Sequence, residues 1–166
     1  VKPILINANL VSAQNRNRLY WCNWEVKQPT DRGIKLSSIL TKDNHWSPAN
    51  IVGRRIDPAT KTRKDYDKSI PYTQTLQVKK CSDKMGCLTT VSKDSLLSCL
   101  PHGRYIDAYN SLTKNKDWRE LTPIEYERLQ TLPDNYTSPA SDSARRKMCG
   151  NGWNVNTIVH IFNSME

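Results

Sequence analysis

The most constraining feature of this 166-residue chain is its middle segment, residues 30–117, which carries no helical periodicity of useful length. Glycine and proline punctuate the segment, and Lys, Thr and Ser are frequent in it. Its apolar runs are short, and residues 75–78 and 87–91 are the candidates for strands. A segment of this kind does not build a helical bundle. We therefore expect a loop-rich, strand-poor subdomain held by short ladders.

The two ends of the chain are patterned differently from the middle. Residues 4–6 and 19–22 are rich in strand-forming side chains and flank a polar stretch, which predicts two short strands. The T-P-I-E sequence at residues 122–125 has the N-cap, the first-turn proline and the glutamate of a capping box. A helix is therefore predicted to begin there and to stop before Pro133.

Two further helices are predicted near the C-terminus. One spans residues 141–149, with Gly150 as its C-terminal stop. The other spans about residues 154–162, where the apolar residues fall on one side of a helix. That apolar stripe consists of Val155, Ile158, Val159 and Phe162.

Charge is distributed unevenly along the chain. The sequence has 25 Lys and Arg against 16 Asp and Glu, a net charge of +9. Residues 25–117 hold 17 of the positive and 10 of the negative groups, whereas residues 118–166 hold five and six. A basic excess in one segment is typical of a surface that meets a polyanion such as DNA or RNA. The other interpretation is a basic surface that only aids solubility.

Composition argues against several classes of protein. No apolar run approaches the roughly 18 residues of a membrane span, and the N-terminus is too soon polar for a signal peptide. Five cysteines without tight spacing do not suggest a disulfide framework, which favours a reducing cytoplasm. No glycine-rich nucleotide-binding motif is present. Zinc ligands usually pair across two to four residues, so no metal site is predicted. The spacing tested was that of Cys81, Cys87, Cys99 and His102.

Three stretches, in order along the chain, resemble motifs of the DNA cytosine-5 methyltransferases. Residues 14–18, Q-N-R-N-R, are similar to the family's eighth motif, Q-N-R-x-R. Residues 119–133 are similar to the ninth, R-x-L-T-x-x-E-x-x-R-L-Q-x-x-P. Residues 150–155, G-N-G-W-N-V, resemble the tenth, and the basic middle segment stands where the family has its target-recognition region. The resemblance covers the whole chain and corresponds to the C-terminal half of such an enzyme.

Parts of the family pattern are missing from these residues. The family's catalytic cysteine follows a proline, and none of the five cysteines here does. The family's Glu-Asn-Val motif and its glycine-rich cofactor loop are not found either. The resemblance therefore implies a split or fragmented enzyme, in which a second chain or an N-terminal half supplies the nucleophile and the cofactor loop.

The implied fold is α/β, the C-terminal part of a Rossmann-like S-adenosylmethionine-dependent methyltransferase domain with a small, loop-rich target-recognition domain inserted. Residues 1–29 and 118–166 would complete the sheet and helices of the catalytic domain, and residues 30–117 would form the inserted domain. The implied reaction transfers a methyl group from S-adenosylmethionine to C5 of a cytosine flipped out of double-stranded DNA. The implied settings are restriction-modification in a prokaryotic or phage-infected cytoplasm, or a eukaryotic nucleus.

The resemblance also assigns roles to individual residues. Arg16 and Arg18 project from the same side of an extended segment. Arg18 would contact the cytosine O2, and Arg16 would hold a phosphate or neighbouring pocket residues. Without the surrounding motif, an R-x-R sequence would be interpreted as two solvated surface charges. The S-adenosylmethionine pocket would be closed on one side by Asn151, Gly152, Trp153 and Val155. The expected DNA contacts are Gln14, Arg54, Arg55, Lys79, Lys80, Thr89 and Thr90.

Two other functions stay open from the sequence. The chain could be a non-catalytic DNA-binding remnant, or part of an RNA (tRNA) cytosine methyltransferase of the same superfamily. The basic middle segment fits either polymer. Asn151 and Trp153 favour an enzyme, because by resemblance they would have no use without S-adenosylmethionine, although a core position for Trp153 is the other interpretation.

Overall fold

The computed structural model describes residues 1–41, 45–80, 83–106 and 112–165 and shows a mixed α/β protein. Three 3₁₀ turns, at Ala8–Leu10, Leu36–Ser38 and Ser92–Asp94, lie between the longer elements. The strands are β1 (Pro3–Asn7), β2 (Asn17–Trp21), β3 (Ser47–Arg55), β4 (Tyr72–Val78), β5 (Leu96–Ser98), β6 (Gly103–Ile106) and β7 (Trp118–Glu120). The helices are α1 (Pro123–Leu129), α2 (Asp142–Asn151) and α3 (Val155–Phe162).

The N-terminal strands β1 and β2 pair antiparallel as a two-stranded sheet, which confirms the two predicted strands. Leu5 lies opposite Leu19, and Pro3 lies opposite Trp21. Side chains alternate between the faces of a strand, so Leu5, Leu19 and Trp21 share one face. All three are about half exposed or more. The described chain therefore leaves this face of the hairpin uncovered.

The middle of the chain forms a five-stranded sheet in the order β6-β4-β3-β5-β7, with antiparallel pairing throughout. Four of its strands lie within residues 30–117, so the expectation of a strand-poor segment is wrong. Strand β7 extends the sheet past residue 117 by pairing with β5. Residues 75–78 form the end of β4, as predicted.

Residues 87–91 are irregular, so their prediction as a strand is wrong. The reason is that this stretch runs beside the Q-N-R-N-R segment instead of joining the sheet. Met85 donates its N–H to the Ala13 carbonyl at 2.7 Å, and its own carbonyl accepts from the Asn15 N–H at 2.8 Å. The Leu88 carbonyl accepts from a side chain, that of Arg16.

Two apolar clusters hold the elements together, and neighbouring residues of β5 belong to different clusters. Leu96 belongs to the cluster under the five-stranded sheet, and Leu97 to the cluster under the helices. The sheet cluster also contains Ala49, Ile51, Leu76, Val78 and Trp118. The helix cluster also contains Ala13, Leu36, Ile39, Met85, Leu88, Leu121, Tyr126, Leu129 and Cys149. Because the helix cluster draws on all three predicted segments, they share one core.

Helix α1 begins with the predicted capping box. The Thr122 hydroxyl accepts from the Glu125 N–H at 3.3 Å, and the Glu125 carboxylate accepts from the Thr122 N–H at 2.8 Å. Pro123 occupies the first turn, where a missing N–H costs nothing. The helix ends at Leu129, before Pro133, as predicted.

Helix α2 begins after Ser141, as predicted, but Gly150 lies inside it and Gly152 is the C-cap. The prediction of Gly150 as the stop is therefore wrong. Glycine is needed at position 150 because a Cβ atom on that residue would lie 2.6 Å from the Thr89 carbonyl carbon. Helix α3 follows the Asn154 cap, whose side chain accepts from the Thr157 N–H at 3.1 Å.

The apolar stripe of α3 is largely on the surface. Val159 is 46% exposed and Phe162 is 56% exposed, whereas Thr157 and Ile161 are the buried residues of this helix. None of the described helices has the length and apolar character needed to cross a membrane.

Candidate functional site

A groove of about 500 Å³ lies between β2, the turn after α2, and α3. It brings Arg16 and Arg18 from the start of the chain together with Asn151 and Trp153 from its end. The rest of its lining is mostly aromatic and aliphatic: Leu19, Tyr20, Trp21, Cys22, Trp24, Ile158, Ile161 and Phe162. A mostly apolar groove of this size with a few polar groups is typical of a small-molecule site.

Arg16 is 5% exposed, and backbone carbonyl groups satisfy its guanidinium. It donates to the carbonyls of Gly152 at 2.9 Å, Gly150 at 3.2 Å and Leu88 at 3.1 Å. These bonds tie the end of α2 to the stretch beside the Q-N-R-N-R segment. Arg16 thus holds neighbouring residues and is not a solvated surface charge.

Arg18 is exposed at the groove. Its Nη1 donates to the Asn17 carbonyl at 2.7 Å, and its Nη2 donates to the Cys87 Sγ at 3.4 Å. Cys87 Sγ also accepts from Arg16 at 3.4 Å, so one sulfur atom touches both guanidinium groups. Because a guanidinium has five N–H donors, Arg18 retains donors for a ligand in the groove.

Tyr20 forms part of the groove wall beside these two arginines. Burial raises the pKa of its phenol above the ordinary value, and the charges of Arg16 and Arg18 partly oppose that change. The phenol is therefore neutral and a hydrogen-bond donor at neutral pH.

The residues predicted on the cofactor side are mostly exposed. Trp153 is 68% exposed, so it is not a core tryptophan, and Val155 is 36% exposed. Asn151 is exposed as well. Gly152 contributes backbone: its carbonyl accepts from Arg16, and a Cβ atom there would lie 2.9 Å from the Met148 carbonyl oxygen.

By resemblance, these residues would form one side of an S-adenosylmethionine pocket. The exposed indole of Trp153 offers a flat apolar surface for part of the cofactor. The described residues that line the groove include no carboxylate, which the cofactor's hydroxyl and cationic groups would need as an acceptor. The described lining of the groove therefore offers an apolar surface and no carboxylate.

The predicted DNA contacts do not gather at the groove, and Gln14 is wrong as a contact. Gln14 is fully buried and donates to the Leu129 carbonyl at 2.7 Å and to the Gln130 side chain at 2.9 Å. Its role is to join the Q-N-R-N-R segment to the end of α1. Arg54 and Lys79 line two adjoining hollows on the five-stranded sheet, away from the groove.

The remaining predicted DNA contacts differ in whether their polar groups are already bonded within the chain. Arg55 stacks on the Tyr72 ring at 5.2 Å and donates to the Ile70 carbonyl, so its guanidinium is already engaged. The Thr89 hydroxyl is 2.8 Å from an Asp94 carboxylate oxygen and closes a turn with Val91. The exposed members of the group are Lys79, Lys80 and Thr90.

Sequence reasoning gave Glu125 only a capping role and missed that Glu125 and Glu127 of α1 are both fully buried carboxylates. Glu125 takes a bidentate pair of bonds from Arg119, at 2.8 and 2.9 Å, and further bonds from Thr41. Burial would raise the pKa of Glu125, but the bonds from Arg119 and from the backbone of Thr41 and Thr122 bring it below its ordinary value. These carboxylates are structural.

The Glu127 carboxylate is bonded in the same way on the other side of α1. It accepts from Arg145 at 2.9 Å and from the N–H groups of Thr137 at 2.8 Å and Asn135 at 2.7 Å. Burial would raise the pKa of Glu127, and these bonds, with that of the Thr137 hydroxyl, lower it. For Glu125 the sequence signals were the capping box and the Arg and Glu of the ninth motif, whereas nothing in the sequence indicated the pairing of Glu127 with Arg145.

No group of three or more His, Cys, Asp or Glu side chains suited to a metal ion occurs within residues 1–41, 45–80, 83–106 and 112–165. Cys81, one of the four residues whose spacing was tested, lies outside the described residues. The described cysteines are Cys22, Cys87, Cys99 and Cys149, and all are free thiols.

Comparison with known proteins adds a fold relative and a family. A solved structure titled as that of the Entamoeba histolytica methyltransferase EhMeth superposes with a TM-score of 0.60 at 16% sequence identity. The match covers 98% of this chain and 52% of that one, so this chain spans about half the length of that relative. No curated protein matches the sequence. The family described as C-5 cytosine-specific DNA methylase matches residues 1–166, and the chain belongs to that family.

Proposed function

We propose that this chain is the target-recognition and cofactor-closing half of a DNA cytosine-5 methyltransferase. The family assignment supports methyl transfer as the activity. The observation that carries the finer proposal is the groove, which places the exposed guanidinium of Arg18 and the exposed indole of Trp153 in one cavity. A flipped cytosine and S-adenosylmethionine would have to lie next to each other in the same way.

The chemistry sets the task for Arg18. Cytosine C5 becomes nucleophilic once a thiolate has added to C6, and that addition places negative charge on the ring. A guanidinium that donates to the cytosine O2 stabilises this charge as it develops. S-adenosylmethionine, when bound, supplies the methyl group. Arg16 serves the site indirectly, because its three carbonyl bonds fix the backbone that flanks the groove.

The nucleophile would come from an N-terminal half or a second chain, since no cysteine here follows a proline. The uncovered apolar side chains support such a partner. Leu5, Leu19 and Trp21 on the hairpin and Phe162 on α3 are between 49% and 64% exposed. Contiguous exposed apolar surface commonly marks an interface, and an unpaired strand edge adds to the tendency to associate.

Duplex DNA is the proposed substrate because most of the basic excess, 17 positive against 10 negative groups, lies in residues 25–117, which contain four of the five strands of the larger sheet. A base inside a duplex has its C6 face stacked, so the target cytosine must leave the helix to react. The sheet would hold the DNA backbone while the groove receives the flipped base.

The test is methyl transfer to duplex DNA, measured with radiolabelled S-adenosylmethionine. We expect no incorporation by this chain alone and incorporation at cytosine C5 when a polypeptide carrying the Pro-Cys and Glu-Asn-Val motifs is added. Transfer by the chain alone at the rate of the combined polypeptides would contradict the proposal. DNA binding without transfer in the complete mixture would indicate a non-catalytic remnant, and a preference for tRNA would indicate the RNA enzyme.

A further inference from the structure

The C-terminal end of α2 is bonded by side chains from distant parts of the chain. The last carbonyls of a helix have no partner within the helix and must find one elsewhere. The Cys149 carbonyl accepts from the side-chain amide of Gln130. The Gly152 carbonyl accepts from two side chains, from Arg16 at 2.9 Å and from Gln130 at 3.3 Å. These bonds fix the turn after α2, which carries Trp153 to the groove.

Gln130 uses its whole side-chain amide for these contacts and is 1% exposed. Its amide nitrogen donates to the carbonyls of Cys149 and Gly152. Its amide oxygen accepts from the amide nitrogen of Gln14 at 2.9 Å. Its backbone carbonyl accepts from the N–H of Val155, the first residue of α3, at 3.0 Å. One residue therefore joins the N-terminal segment, the end of α2 and the start of α3.

Gln14 continues these bonds toward β2. It is fully buried, and its amide oxygen accepts from the Leu88 N–H at 3.4 Å. The Leu88 carbonyl accepts from Arg16 at 3.1 Å, and Arg16 in turn donates to the Gly152 carbonyl. The bonds thus return to their starting point and form a closed network, which consists of Gln14, Gln130, Gly152, Arg16 and Leu88.

The closed network lies between two walls of the groove. Trp153 on one wall is 68% exposed, so the position of its indole follows from the backbone of the turn after α2. Arg18 on the other wall is also exposed, on the strand that begins just after Arg16. Breaking one bond of a buried network leaves a polar group unpaired, which is costly. A shift of either wall against the other would therefore have to break bonds in the closed network.

We propose that Gln130 is a positioning residue that couples the two walls of the groove through Gln14. The turn that carries Trp153 and the strand that carries Arg18 then move together and not separately. The methyl donor and the target base would meet at a fixed separation, as the transfer of a group between two bound reactants requires. The inference rests on the proposed function for the identity of the two ligands, whereas the coupling is a property of this chain.

Amide hydrogen exchange in the full chain tests the coupling without any ligand. Gln130→Met keeps nearly the volume of the side chain and removes the amide with all its bonds. We expect the amides of residues 14–18 and 149–153 to exchange about ten- to hundredfold faster, which is the range for leaving a buried polar group unpaired. The control is Ile39→Val, a buried position of the helix cluster whose side chain forms no hydrogen bond. It should accelerate exchange in these two segments no more than elsewhere.

Gln14→Met tests the coupling from the opposite side. The Gln14 side chain bonds Leu129, Gln130 and Leu88, so faster exchange at residues 149–153 must be transmitted by the closed network. If each substitution accelerates exchange only in the segment nearest to it, the coupling is wrong. If neither accelerates exchange beyond the control, the positioning role is wrong. If both variants fail to fold while the control folds, the pair serves global stability and the proposal is overturned as well.

Single-turnover methylation by the combined polypeptides relates the coupling to the reaction. With DNA and S-adenosylmethionine saturating, Gln130→Met should lower the rate about tenfold and change DNA affinity by less than about twofold, because misplaced reactants lose rate more than binding. Ile39→Val should keep the parent rate. If the parent transfers methyl groups and Gln130→Met does so equally fast, the inference is wrong and the proposed function stands. If the parent transfers none, the proposed function is wrong, and the exchange result still decides the coupling.

Discussion

The backbone of Gly150 in α2 lies directly against the backbone of Thr89, so that a Cβ atom at Gly150 would be 2.6 Å from the Thr89 carbonyl carbon. Real Cβ atoms essentially never lie this close to another atom. The atoms nearest to this Cβ position belong to the backbone, so no flexible side chain can move aside to make room. The contact joins the helix that precedes Trp153 to the stretch that carries Cys87. Position 150 therefore sets how closely the end of α2 approaches the stretch that contacts Arg16 and Arg18.

Gly150→Ala should destabilise the protein, although alanine is the better residue inside a helix by about 1 kcal/mol. Separating the two backbones should cost about 1–3 kcal/mol, as overpacking does in other cores. Urea unfolding measures the change. Ser143→Ala, at an exposed position of the same helix, is the control and should be neutral or slightly stabilising. A gain in stability for Gly150→Ala would contradict the contact.

Arg18→Ala should impair chemistry more than DNA binding in the combined polypeptides. A bond that strengthens as the thiolate adds lowers the barrier, whereas a phosphate contact mainly adds affinity. We expect a loss of about 2–4 kcal/mol in the transfer step, or roughly 30- to 1,000-fold. Single-turnover methylation at saturating DNA measures it. Lys79→Ala is the comparison and should weaken binding with a flatter salt dependence. If the Arg18→Ala variant transfers methyl groups at the parent rate, Arg18 does not contact the target base.

Cys87 should act as a positioning residue, because its sulfur contacts the guanidinium groups of both Arg16 and Arg18 at 3.4 Å. Cys87→Ala removes the acceptor and should lower the single-turnover rate several-fold while DNA affinity is retained. Cys87→Ser keeps an acceptor and should restore most of the rate. If serine and alanine lower the rate equally, the sulfur contact does not orient Arg18.

Acid should destabilise the protein through the buried carboxylate of Glu125. Its folded-state pKa is below the ordinary value of 4.5, so its contribution is complete above that pH and is lost as pH falls through the folded-state pKa. Glu125→Gln leaves Arg119 without its partner and should cost about 3–5 kcal/mol near neutral pH. The destabilisation caused by Glu125→Gln should become smaller in acid, because Glu125 is then itself protonated. Urea unfolding between neutral pH and pH of about 3 measures both effects, and an unchanged loss across that range would contradict the assignment.

The apolar stripe of α3 should contribute to the partner interface. Phe162→Asp places a charge on a side chain that is 56% exposed, so the fold of this chain should tolerate it. Association with the Pro-Cys-bearing polypeptide should weaken, because a charge would be buried there without a partner. Sedimentation measures association, and thermal unfolding controls for the fold. Undiminished association would place the interface elsewhere.

Local signals predicted helices well and strands unevenly. The capping box of α1 was predictable because its two bonds join residues three apart. Strand β3 was missed because it contains Pro48 and Gly53, which usually interrupt strands. Gly53 is tolerated because the ring of Tyr72 occupies the space of its missing side chain, and that pairing forms only in the folded sheet.

At the site, too, local patterns were predictable from the sequence and long-range contacts were not. The family motifs identified Arg18 and Trp153, which do meet in one groove. They misplaced Gln14, because a glutamine in a polar stretch gives no local sign of burial. Its partners, Leu129 and Gln130, are more than 110 positions away. Arg54 and Arg104 line one hollow on the five-stranded sheet only after three strands have paired, and no local pattern indicates that pairing.

The bidentate bond between Arg119 and Glu125 has a practical consequence for building hybrid proteins. Arg119 lies on β7, Glu125 lies on α1, and only Leu121 and Thr122 separate the two elements. The joint between sheet and helix is thus short and clamped, with little freedom to hinge. A transplant of the five-stranded sheet that cut the chain at residue 117 would separate β7 from the strands it belongs with. A crossover point after Glu125 would keep Arg119 and Glu125 in the same transplanted segment. Their bidentate bond would then preserve the angle between the grafted sheet and helix α1.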